Sequence, residues 1–234
     1  MRKIYFFVIS LIILVGIISV ATAVSYDKPE KITFIHYKGG KIKVVDAQGK
    51  PTTNTCYKLL GAKLPDTTSY FINPTNPNGL SESFVTNAIY SGSEEWDKYT
   101  NKELFNNIYT IDYSANWDDV SPDRRMEYSF GSYPQSGVIA VTNIWMARSG
   151  KQKIIIDFDV LFNTYFNWGD ATANPSLMDL QNIATHETGH GLGLADLYNG
   201  CTAETMYGYS SEGDVDKRTL NSGDIAGIRN LYGL

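Results

Sequence analysis

The stretch His186-Glu187-Thr188-Gly189-His190-Gly191-Leu192-Gly193-Leu194-Ala195-Asp196 decides how the rest of the chain is read. Two histidines stand four residues apart, with a glutamate directly after the first. On a helix, positions i and i+4 share a face, with Cβ atoms roughly 6 Å apart. Two imidazoles at that spacing reach one zinc ion at about 2.0–2.1 Å each. Glu187 is rotated about 100° from His186 and so flanks the metal position. This is the H-E-x-x-H arrangement, in which the glutamate is general base toward a water activated by the metal. Gly191 and Gly193 end the helix, because glycine takes the left-handed conformation that turns the chain sharply. The turn brings Asp196 back toward the two histidines. A catalytic zinc needs three protein ligands and one open position. The chain has only three histidines. The third, His36, lies far upstream with no ligand pattern around it and reads as a surface strand residue. The third ligand is therefore expected to be a carboxylate, and Asp196 is the best candidate. Its plain alternative is a loop aspartate near a helix end.

Upstream of the motif, the pattern predicts an active-site helix starting near Pro175 or Ser176, with Asn174 as N-cap. Leu177, Leu180, Ala184 and Thr188 form its buried side, and His186 and His190 face a cleft. An earlier helix is expected from about Leu80 to Thr100, where Phe84, Val85, Ala88, Ile89 and Trp96 recur at helical spacing and Ser81 or Ser83 caps the start. Strands are expected at Thr67–Asn73, Ile108–Tyr113, Arg125–Phe130, Val138–Met146 and Ile154–Phe158. The last is the most apolar and so reads as central. Two shorter strands, Lys31–His36 and Lys41–Val45, flank a Gly39-Gly40 turn. The whole reads as α+β.

The chain of 234 residues is 43% hydrophobic and 19% charged, which fits one globular domain plus a targeting segment. Its formal charge is −5, and an acidic domain without a basic run is a poor nucleic-acid binder. Met1-Arg2-Lys3, the apolar run Ile4–Val20 and Ala21-Thr22-Ala23 read as a secretory signal over residues 1–23. An uncleaved membrane anchor is the alternative. Either way the folded part is expected outside the cytoplasm. The two cysteines, Cys56 and Cys201, then most simply form one disulfide. The rival role is Cys56 as an inhibitory thiolate on the metal. Residues 24–65 read as a short pro-region or an N-terminal extension, and residues 66–234 as the catalytic domain.

His186, Glu187, His190, Gly193 and Asp196, with Met206 in Glu204-Thr205-Met206-Tyr207-Gly208, resemble the metzincin signature, a zinc motif followed by a methionine turn. Aspartate as third ligand resembles the snapalysin-like variant. The motif H-E-x-G-H-x-L-G-L and the ending Gly223-Asp224-Ile225-Ala226-Gly227-Ile228-Arg229-Asn230-Leu231-Tyr232-Gly233 resemble the matrixins over approximately residues 66–234. The resemblance implies a twisted five-stranded mixed sheet with an active-site helix, a backing helix and a C-terminal helix. It implies one catalytic zinc on His186, His190 and Asp196, Glu187 as the catalytic base, and Met206 as the floor of the site. Val138, Ile139, Ala140 and Val141 look like the matrixin edge strand that pairs with an extended substrate. The wall that selects side chains is expected around Tyr207–Arg218.

The chain departs from the family in three ways. It lacks the inhibitory P-R-C-G stretch, it lacks the histidines of a second, structural zinc, and it carries Gly208 where some metzincins place a ligating tyrosine. Asp157 and Asp159 resemble a calcium-binding stretch, although paired aspartates at a strand end are more often simply solvated. The expected activity is secreted, zinc-dependent endopeptidase action on polypeptides by a monomer. Two alternatives stay open. One is a gluzincin-type peptidase with Glu204 or Glu212 as third ligand. The other is a non-catalytic extracellular domain stabilised by zinc.

Overall fold

The computed structural model describes residues 28–39, 55–198 and 200–234. The proposed leader and the Lys41–Val45 strand fall outside these residues. In chain order the elements are β1 (Glu30–Lys38), β2 (Ala62–Lys63), β3 (Tyr70–Ile72), α1 (Glu82–Asp97), β4 (Thr110–Ile111), β5 (Met126–Gly131), β6 (Val138–Ser149), β7 (Gln152–Asn163), β8 (Trp168–Gly169), β9 (Met178–Asp179), α2 (Leu180–Gly191), β10 (Tyr209–Ser210) and α3 (Ser222–Tyr232). The main sheet runs β10-β1-β6-β7-β5-β3-β4, and β2 also pairs with β7. The β1/β6 and β6/β7 pairs are antiparallel and the others parallel. The five strands expected of the catalytic domain are β3 to β7, and the expected Lys31–His36 strand is β1; β1, β2 and β10 widen the sheet.

The β6–β7 hairpin is the spine of the molecule. Its residues from Val138 to Ala147 and from Ile154 to Asn163 are buried without a break, as expected of strands covered on both faces. The helices lie against this sheet. A Cβ added at Gly92 of α1 would come within 2.8 Å of the Thr185 amide nitrogen of α2, so glycine allows the two backbones to approach. Trp96 Nε1 then donates to the Thr185 carbonyl at 2.9 Å. Ser81 caps α1 by accepting from the Phe84 amide.

Strands β3 and β4 are shorter than the sequence reading and β6 is longer, and two further boundary differences bear on the site. Strand β7 runs on to Asn163 because Val160, Leu161 and Phe162 continue its buried run. Helix α2 starts at Leu180, later than expected, because Asp179 caps it and accepts from the Asn182 amide at 2.9 Å. The residues between Asn174 and Leu180 instead form a turn and β9, which pairs with β8. Arg218 Nε donates to the same Asp179 at 2.8 Å, tying the cap to the far end of the chain.

Cys56 and Cys201 are joined by a disulfide, with Cα atoms 5.6 Å apart. Thiol latency through Cys56 is thereby set aside. The bridge ties the segment before β2 to the chain just after α2, a constraint worth about 2–4 kcal/mol.

Candidate active site

Helix α2 presents His186 and His190 on one face, and both are fully buried. The turn that follows depends on Gly193, which has φ of 106° and a backbone too close to the Ala62 carbonyl oxygen for any side chain. Past that turn, Asp196 Oδ1 lies 3.2 Å from His186 Nε2 and 3.5 Å from His190 Nε2. Each histidine has its other nitrogen against a carbonyl oxygen: His186 Nδ1 against Thr205 O at 2.7 Å and His190 Nδ1 against Leu194 O at 3.0 Å. A carbonyl only accepts, so both rings carry their proton on Nδ1 and aim a lone pair from Nε2. Those two Nε2 atoms and Asp196 Oδ1 are buried with no hydrogen-bond partner. Three buried donor atoms converging on one point are what a metal ion would satisfy. The set His186, His190 and Asp196 is one of two convergent groups of metal-ligating residues among the described residues. Neither group includes Glu204 or Glu212. Glu204 instead accepts the amides of Gly223 and Asp224, and Glu212 pairs with Lys38.

Electrostatics follow the burial. Burial pushes the His186 pKa down to about 3, keeping the ring neutral. Burial also disfavours charge on His190, but the Asp196 carboxylate outweighs it and raises that pKa. The same histidines hold the Asp196 carboxyl well below its usual range in spite of its own burial. Tyr198 donates its hydroxyl proton to Asp196 Oδ2 at 3.0 Å, which leaves Oδ1 as the free oxygen. Burial raises the pKa of Glu187.

Met206 is fully buried beneath α2. A Cβ on Gly189 would collide with its Sδ and with the Trp96 ring, so the glycine between the two histidines lets the helix sit on the methionine. Asp224 of α3 holds this turn from below, accepting from the Thr205 amide at 2.6 Å and the Met206 amide at 3.1 Å. The Thr205 carbonyl, in turn, accepts from both His186 Nδ1 and Lys217 Nζ.

Three expectations are corrected. His36 is not at the surface. It is 1% exposed, its Nδ1 lies 2.9 Å from Glu187 Oε1, and its ring centroid is 4.0 Å from that of His186. The period-two alternation of Ile32, Phe34 and His36 placed it on the inward face, and only its distance in sequence made it look remote. Phe34, two residues earlier, stacks on His190 with centroids 3.9 Å apart and planes 11° from parallel.

Second, Val138, Ile139, Ala140 and Val141 lie in β6, whose outer edge is not open but is taken up by the chain's own β1. Strand β1 pairs along it, from Glu30 opposite Met146 to Tyr37 opposite Val138. Third, Asp157 and Asp159 are not solvated. Both are fully buried, because β7 continues past them. Sequence reasoning also missed Thr142, whose hydroxyl donates to Glu187 Oε2 at 2.6 Å. The available signal was a hydroxyl residue set inside the buried, mainly apolar run of β6.

The geometry matches what the comparisons find. The family model for matrixin matches residues 63–233. The chain belongs to the matrixin family, whose members imply a zinc site. The hatching enzyme of Paracentrotus lividus is 32% identical over 136 residues, covering 50% of this chain and 21% of that protein. The chain thus spans about a fifth of the length of this relative.

Proposed function

We propose that the chain is a secreted zinc metalloendopeptidase. The observation that carries this is the convergence of His186 Nε2, His190 Nε2 and Asp196 Oδ1, all buried and unpartnered, beside the carboxylate of Glu187. These three atoms are the proposed zinc ligands. When bound, zinc supplies Lewis acidity that activates water and polarises the scissile carbonyl. Glu187 takes the proton of the attacking water on a carboxylate oxygen and passes it to the leaving amine nitrogen. Its raised pKa suits a group that must both take a proton and give it back. Thr142 holds the other carboxylate oxygen and so fixes the base. Met206 and Asp224 set the floor on which His186 is oriented.

Substrates on this reading are polypeptides, held by a monomer that binds no nucleic acid. The disulfide supports an oxidising, extracytoplasmic location. Calcium belongs to the same reading as a second cation beside Asp157 and Asp159. Both Asp159 oxygens are buried and unpartnered, as is Asp157 Oδ1.

A gluzincin-type ligand set is disfavoured by the hydrogen bonds that occupy Glu204 and Glu212. A purely structural zinc is disfavoured by the buried carboxylate beside the site, since a closed structural site needs no base. The test is Glu187→Ala on zinc-loaded protein. Zinc content should be unchanged, and hydrolysis of a casein-type substrate should fall by about 10²–10⁴-fold. Surviving hydrolysis would remove Glu187 from the mechanism.

A further inference from the structure

Strand β1 lies where a substrate would lie. Its long edge takes up the outer hydrogen-bonding edge of β6, antiparallel, over the whole stretch from Glu30 to Tyr37. Its other edge meets β10, in parallel, with Tyr37 opposite Tyr209 and Lys38 opposite Ser210. Strand β10 follows the methionine turn and belongs to the segment read from sequence as the side-chain-selecting wall. The cleft between these two walls therefore holds an extended peptide bound by main-chain hydrogen bonds, which is the mode of strand addition.

The inward side chains of that peptide touch the catalytic machinery. Phe34 covers the His190 ring, and His36 hydrogen-bonds Glu187 Oε1. With Thr142 on Oε2, both oxygens of the base are engaged. Ile32 and Phe34 pack on the main core, while Ile35 and Tyr37 pack on a separate small apolar cluster of Val138, Val141 and Leu161. The strand is thus seated by both faces. Its ends are held by the exposed pairs Lys31–Asp119 and Lys38–Glu212 and by the Gly39 amide to Ser210 O. Exposed ion pairs of this kind contribute little, so the strand is held mainly by its ladder and by Ile32, Phe34, His36 and Tyr37.

We propose that residues 30–38 are an intramolecular peptide ligand of the substrate cleft, which blocks the general base through His36 and must leave before a polypeptide can enter. This rests on the peptidase reading above. It differs from latency by a thiolate on the metal, because the block falls on Glu187 and on the two strand edges. If the cleft is closed in nine molecules out of ten, opening it raises apparent kcat/KM by about tenfold.

The test uses the whole chain with the recognition sequence of an unrelated site-specific protease placed between Lys41 and Asn54. The zinc-loaded protein is assayed on an internally quenched peptide library, uncut and after cutting with removal of the released segment. A second protein carries Phe34→Ser and His36→Ser without any cut. The cut protein and the double variant should both exceed the uncut parent by at least about tenfold in kcat/KM. A synthetic peptide of residues 28–39 added to the cut protein should raise KM and leave kcat unchanged.

Equal activity of cut and uncut protein would overturn the proposal while leaving the peptidase reading intact. So would a cut protein that loses its circular dichroism signal, since β1 would then be a structural strand. A double variant with lower kcat and unchanged KM would make His36 a positioning residue for Glu187 instead, and would also overturn it. If neither form cleaves any library peptide, the peptidase reading fails and takes the proposal with it.

Discussion

At the scale of single residues, the site is organised by what fits between α2 and the methionine turn. Gly189 is the sharpest case. It sits in a helix interior, where glycine costs about 1 kcal/mol relative to alanine. Alanine would ordinarily be favoured there, but its methyl would strike Met206 Sδ and the Trp96 ring. Neither can retreat readily, because both are fully buried. Gly189→Ala should therefore destabilise the protein by about 1–3 kcal/mol by overpacking. In thermal unfolding that is a fall of about 2–4 °C per kcal/mol for a chain of this size. Zinc affinity should weaken as well, because the collision pushes α2 off the floor that orients His186. A melting temperature equal to or above wild type would mean that the propensity gain wins and that Met206 moves aside freely.

At the scale of elements, the proposed metal position depends on α3, which contributes none of its ligands. Asp224 completes a capping box with Asn221 at the start of α3 and also accepts the amides of Thr205 and Met206. One carboxylate thus joins a helix end to the turn whose Thr205 carbonyl orients His186. Removing it leaves two buried amides without acceptors, at about 1–3 kcal/mol each. Asp224→Ala should lower the denaturant midpoint and also weaken zinc binding by about 10–100-fold, the cost typical of losing an outer support of a metal ligand. Competition with a metal indicator would measure the second effect. If stability falls and zinc affinity holds, α3 is a structural helix and the turn is rigid without it.

The elements that sequence shows well are those with a strong local period. Helix α1 is visible in Val85, Ala88, Ile89 and Trp96, and β6 in its apolar run. The late start of α2 is hidden because Asn174-Pro175 is a good local cap signal. It loses to Asp179, which gains Arg218 from far along the chain.

At the scale of the whole molecule, what sequence hides is long-range pairing. The motif from His186 to Asp196 and Met206 can be read locally, since its spacing and glycines act within a few turns. The position of β1 cannot, because its partners β6 and β10 lie more than a hundred residues away. The buried carboxylates of β7 are of the same kind. Burial raises the Asp157 pKa to about 7, helped by Asp123, and raises that of Asp159 to about 10, helped by Asp157. Both folded values lie above the unfolded one, near 3.9. The stability these groups allow is therefore complete below about pH 4 and is lost as pH rises through about 7 for Asp157 and onward toward about 10 for Asp159. A bound cation would offset that loss by stabilising the charged form.

In a calcium chelator, wild type should lose melting temperature from pH 5 to pH 8 relative to Asp157→Asn/Asp159→Asn. The difference between the two proteins separates these residues from Glu94, Asp97 and Glu204, whose pKa values burial also raises. Added calcium should restore wild type at pH 8 and leave the variant unmoved. An equal calcium response in both proteins would place the cation elsewhere. Parallel pH profiles in chelator would show that burial does not set the charge of these aspartates.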